Sequence, residues 1–272
     1  MRVSILFLSL FPVVCQALEP ASPPDKSSYT LLNPTPREFM REMSTDRPDT
    51  TESAYSVDAG HFQVESTLFG FAKDGGVEGF TFAESNFKLG LTNNTDLQLV
   101  VPFYEHVRGD GVDEGGIGDL QVRWKWNLLG NDQGDIALAV MPFIKAPTAS
   151  HDLGNDKVEG GVILPLAVTL NDTFSFGTMF EVDWVYDDVR DGYEVDFVNT
   201  IVLGIELSER WGSFVEFISV ATTRAEASWE GYAKAGVTFA VSDDFVLDAG
   251  AAVGVNDAAE DFGAFVGFSW RH

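Results

Sequence analysis

The chain is short of several things. It has one cysteine in 272 residues, Cys15, and that residue falls in a segment expected to be cleaved away, so no disulfide is available to staple the mature protein. Bases are scarce: 17 Lys and Arg stand against 42 Asp and Glu, for a net charge of -25. So acidic a surface repels phosphate, which argues against nucleic acid as a partner. The four histidines, His61, His106, His151 and His272, have no serine in an evident strand-register partnership, so no nucleophilic triad is legible. There is no Gly-rich phosphate loop and no paired-cysteine motif. GDGVDE at 109–114 lacks the full ligand pattern of a calcium loop. No catalytic residue, cofactor or metal is expected. Beyond the first 17 residues no stretch reaches the roughly 18 consecutive apolar residues of a membrane helix.

What is present is alternation. From Leu120 to Leu128 every even position is large and apolar, including Trp124 and Trp126, and every odd position is polar or charged, including Arg123 and Lys125. A period of two marks a strand with one greasy and one wet face. Twelve such segments follow residue 60, at about 61–72, 80–91, 96–107, 117–129, 135–147, 158–170, 174–186, 194–207, 211–221, 230–241, 245–255 and 262–271. Most match the roughly 9–11 residues that a tilted strand needs to cross a bilayer. Tight turns at 92–95, 130–134, 171–173, 208–210 and 242–244 alternate with longer loops at 74–79, 108–116, 148–157, 187–193, 222–229 and 256–261. Aromatics such as Tyr104, Trp184, Trp211, Trp229 and Trp270 gather toward strand ends, where interfacial girdles lie. Each row read alone fits a sandwich core equally well. Taken together, the segments point to an all-β fold, an antiparallel transmembrane β-barrel of about 12 strands over 60–272, with both termini periplasmic.

The N-terminus supplies the address. A basic start, an apolar run over 4–14 and a small residue at Ala17 read as a secretory signal peptide, 1–17, cleaved near Ala17. Residues 18–59 form a periplasmic linker. Its first half is rich in Pro, Ser and Thr, 37–43 is long enough for one or two helical turns, and 44–53, STDRPDTTES, is polar and turn-prone. This last piece is either a tether or a small plug in the barrel mouth. As a plug, Arg47 would find a lumen carboxylate, while Asp46 and Asp49 would find lumen cations.

Three stretches, 44–63 (STDRPDTTESAYSVDAGHFQ), 116–128 (GIGDLQVRWKWNL) and 241–270, resemble the outer-membrane family labelled for the meta-pathway of phenol degradation. The resemblance implies a barrel-forming protein and, loosely, uptake of aromatic or other hydrophobic compounds. Such proteins usually close on an aromatic residue. This chain instead ends Trp270-Arg271-His272, which bears on its recognition by the barrel-assembly machinery, an expected partner alongside outer-membrane lipids and a small-molecule solute.

With the apolar rows facing lipid, the inward set includes Lys88, Asp119, Arg123, Lys125, Glu181, Asp183, Asn199 and Glu216. A barrel of this size encloses more volume than its own side chains fill, since eight strands is already near the self-filled size. Arg123 and Lys125 are expected to pair across the lumen with acids such as Glu181, Asp183 and Glu216, setting the electrostatic profile of a solute path. The equally open reading is that these groups only satisfy one another. The function expected is an outer-membrane channel working by passive diffusion. The alternatives are a structural barrel without transport and a barrel-embedded hydrolase.

Overall fold

A computed structural model describes residues 25–150, 153–154, 156–224 and 228–272; the expected signal peptide, 1–17, lies outside them. Thirteen strands form one antiparallel sheet: β1 (Phe62–Asp74), β2 (Val77–Thr92), β3 (Thr95–Gly109), β4 (Val112–Gly116), β5 (Leu120–Leu129), β6 (Ile136–Ala146), β7 (Glu159–Thr169), β8 (Phe174–Asp187), β9 (Gly192–Glu206), β10 (Trp211–Thr222), β11 (Glu230–Ser242), β12 (Phe245–Gly254) and β13 (Phe262–Arg271). Chain neighbours pair throughout except β4 and β5, which both pair with β3, and β1 also pairs with β13, so the sheet closes. Closure removes the sheet edges that lipid could not satisfy. β4 and β5 both lie along β3, at opposite ends of it, so thirteen strands make twelve staves.

That stave departs from the expected segment 117–129. Val112–Gly116 is strand rather than loop, and the break falls at 117–119. There the Asp119 carboxylate accepts backbone N–H bonds from Thr148 and Ala149, both at 2.9 Å, and the Thr148 hydroxyl takes the Leu120 N–H at 2.9 Å. The chain after β6 thus satisfies backbone that the ladder leaves unpaired. Two of the expected long loops also tighten. β1–β2 and β3–β4 close in two residues, Gly75-Gly76 and Asp110-Gly111, because Gly75, Asp110 and Gly111 adopt the positive φ that two-residue hairpins demand. The barrel still has a turn end and a loop end, but only the β6–β7, β10–β11 and β12–β13 loops exceed the turns in length.

The faces sort as the alternation requires. Trp124 and Trp126 are each 51% exposed while Lys125 between them is 1% exposed. Leu99, Ile201, Val215, Leu247 and Val266 share the outer face. The buried interior is mostly polar and charged, the inverse of a soluble domain. Asn199 corrects the sequence reading. It is exposed and pairs with Phe180 and Ser219, because parity places it in the outer row with Phe197 and Ile201.

Candidate functional site: the plugged lumen

The N-terminal segment reaches into the barrel. Residues 25–43 first run across the turn end, with one 3-10 turn at Arg37–Phe39. Leu31 N–H bonds Leu91 O at 2.8 Å. Lys26 and Arg41 both pair with Asp132 in the β5–β6 turn, at 2.8 and 2.9 Å. Arg37 pairs with Asp244 in the β11–β12 turn, which also takes Arg271 at 2.8 Å. The chain then enters the lumen over 44–58 and returns to the turn end at Gly60.

Residues 44–58 contain no regular secondary structure, so their backbone donors need partners from elsewhere. The wall supplies carboxylates. Glu65 on β1 accepts from the N–H groups of Asp46 and Arg47, at 2.9 and 3.1 Å. Glu216 on β10 accepts from Thr50 and Thr51 N–H, both at 2.8 Å, and from the Thr51 hydroxyl at 2.7 Å. Asp96 on β3 accepts from Val57 N–H at 2.9 Å. Asn127 donates to Ala54 O at 2.8 Å. Bonds to a charged acceptor are the strong ones, and these lie out of water.

Ion pairs lock the same segment. Asp46 sits between Lys125, at 2.9 Å, and Lys88, which also holds Glu65. Arg47 pairs with Asp248 on β12 at 2.6 Å. Arg123 pairs with Glu52. Four of the expected lumen residues, Lys88, Arg123, Lys125 and Glu216, are therefore brought together on 44–58. The direct partners of Arg123 and Lys125 are Glu52 and Asp46 rather than Glu181, Asp183 or Glu216, because the inserted segment stands between the walls. Asp49 lines a cavity together with Lys234, Arg123 and Phe265. Asp119 is elsewhere, in the β4–β5 break. Glu181 and Asp183 face the lumen from β8 and bond no part of 44–58.

Two cavities flank the tip of the segment. One, of about 320 Å³, is lined by Glu65, Glu84, Asn86, Val100, Arg123, Lys234 and Phe265. The other, of about 360 Å³, runs along β7–β11 past Tyr55, Val202, Ser213, Phe214 and Thr238. Both are also lined by Arg47, Pro48, Asp49 and Glu52, so the tip stands between them. The far wall carries an inward apolar stripe built on Met141, Ile163 and Met179, with Phe143 and Val198 packed on it. Sequence reasoning missed this stripe by looking only for charged lumen residues. Its signal was β6, IALAVMPFIKA, and β7, EGGVILPLAVT, which are apolar at consecutive positions and so cannot present a wet face.

Fold and interior together define a twelve-stranded β-barrel of the outer-membrane type whose N-terminal segment is folded into its lumen. Residues 45–272 match the family described as "Putative MetA-pathway of phenol degradation", and the chain belongs to that family. No curated protein matches it in sequence. Among solved structures it is similar to the COG4313 outer membrane channel from Pseudomonas putida F1, at 12% identity and a TM-score of 0.58, over 78% of this chain and 93% of that one. It is also similar to the NanC porin, at 9% identity and a TM-score of 0.56, over 77% and 98% of the two chains. At these identities the likeness is one of fold.

Proposed function

We propose that the protein is an outer-membrane channel through which small solutes diffuse passively, with residues 44–58 as a fixed plug that narrows the path. In this reading the turn end and both termini face the periplasm, and residues 1–17 are removed near Ala17. The observation that carries it is the pair of cavities meeting at Arg47, Pro48, Asp49 and Glu52. A structural barrel has no need of open space on either side of a tethered segment. The inward stripe of Met141, Phe143, Ile163, Met179 and Val198 supports solutes with an apolar or aromatic body, in keeping with the family's description. An apolar body can move along such a stripe without desolvating polar groups of the wall.

The test is planar-bilayer conductance of the purified protein and of a variant lacking 44–53. The full protein is expected to give small, steady openings and the deletion larger ones. Equal conductance from a properly folded deletion barrel would show that 44–53 is only a tether. Absence of current from both, with no solute-dependent swelling of proteoliposomes, would favour the structural barrel.

A further inference from the structure

We propose that the lumen above the plug selects for cations, so that the solutes admitted are neutral or cationic and carboxylates are held back. This rests on the channel reading and specifies which solutes it passes. Among the described residues, the inward bases are spoken for. Lys88 and Lys125 are held by Asp46, Arg123 by Glu52, Arg47 by Asp248, Lys145 by Glu159, and Arg224 by Asp196 at 3.0 Å. Lys234 donates to the Thr50 hydroxyl at 3.1 Å and stands with Arg47 over the Phe265 ring. Of these bases Lys234 alone has no carboxylate within 4.0 Å, and it stands in the field of Glu216, Asp49 and Asp248, which offsets its pull on an anion.

The acids are not balanced in the same way. Among the described residues Glu84, Glu105, Glu181 and Asp183 have no Lys, Arg or His within 4.0 Å. Glu84 lines the cavity beside the plug tip. Glu105 shares the β3 side with Glu84 and Asp119 and feels both. Glu181 and Asp183 lie on β8, and Asp183 is the register partner of Asp196 on β9. Asp196 is only 8% exposed, and its Oδ1, like Oδ1 of Asp183, has no hydrogen-bond partner. Gly161 on β7 leaves room for the Asp183 carboxylate, which a Cβ there would strike. Glu181 and Asp183 stand close enough to share a proton, so the pair holds one charge between them, and the bases whose charge reaches it, Arg123 and Lys145, are committed to Glu52 and Glu159. Buried or partly buried carboxylate oxygens without partners are costly to leave unmet, and a passing cation meets them. A ring of acids around a pore of low-dielectric wall is the usual source of cation selectivity.

The experiment is the reversal potential of the full protein in a planar bilayer under a tenfold KCl gradient. A cation-selective sign is expected, with potassium favoured over chloride by roughly tenfold, the scale on which a charged cleft concentrates counter-ions. The double variant Glu181→Gln, Asp183→Asn is expected to move the permeability ratio several-fold toward one. A reversal potential near zero or of anionic sign in the unaltered protein overturns the proposal without recourse to any variant. An unchanged ratio in a folded, conducting double variant overturns the assignment to these residues. Absence of any current overturns the channel reading itself, an outcome distinct from a current of the wrong selectivity.

Discussion

Asp46 is the residue that ties the inserted segment to the wall most closely. Its side chain lies between two lysines that are each about 1% exposed, and it also accepts the Ser53 N–H at 2.9 Å, folding the segment back on itself. Removing one member of such a set leaves a charge buried without its partner, which costs about 3–5 kcal/mol. Lys125→Met is expected to destabilise the folded barrel by that order, read as a shift in denaturant midpoint, and to release 44–53 to rapid amide exchange. A shift below about 0.5 kcal/mol, the size of an ordinary surface substitution, would mean that the pair contributes no net stability.

Glu52 adds a pH dependence at the same scale. Burial first, and then the neighbouring Asp46 carboxylate, push its carboxyl up from 4.5 to about 7, with Arg123 pulling the other way. The folded state therefore holds this proton more tightly than the unfolded chain does. Its contribution to stability is complete below 4.5 and is lost as pH rises through about 7. Amide exchange in 44–58 is expected to quicken from pH 5 to pH 8 beyond the intrinsic rise, and Glu52→Gln is expected to abolish that excess. An excess that survives in the variant would assign the effect to another group.

At the scale of elements, β2 shows how a strand makes room for the returning chain. Gly90 lies where residues 57–58 cross the wall, and a Cβ at that position would strike the carbonyls of Val57 and Asp58. These are backbone atoms and cannot swing aside, so Gly90→Ala is expected to cost about 1–3 kcal/mol, as overpacking does. Thermal unfolding in detergent reads the loss. Coupling to the plug is checked by whether Lys125→Met and Gly90→Ala fall short of additive. The strand elements themselves were legible, because alternating burial writes itself into the sequence as a period of two. The β4–β5 break was not. Gly115, Gly116 and Gly118 look like loop, and the strand over 112–116 exists only because β3 extends far enough to pair with it.

At the scale of the whole molecule, the inverted interior requires an apolar exterior solvent. Ile201 is 55% exposed on the outer face of β9, and a base in such a row costs about 2–4 kcal/mol at mid-bilayer depth. Ile201→Arg is expected to lower stability by that order in lipid vesicles, with a much smaller loss in detergent, which deforms around the charge. Equal losses in both would place residue 201 away from the hydrocarbon.

The sequence by itself determined the barrel. Outward and inward residues alternate at neighbouring positions of one strand, so the two faces are read without knowing any partner. It also marked 44–53 as polar, patterned and without strand period. Only the tertiary structure decided what the lumen charges meet. Arg123 and Lys125 could have reached acids on the opposite wall. They meet Glu52 and Asp46 instead, because a segment with no internal ladder must take its hydrogen bonds from the wall and so enters the space between. Which acids that leaves without a base, Glu181 and Asp183 among them, is a property of the closed barrel and its plug together, since contacts across a lumen join residues that no local pattern relates.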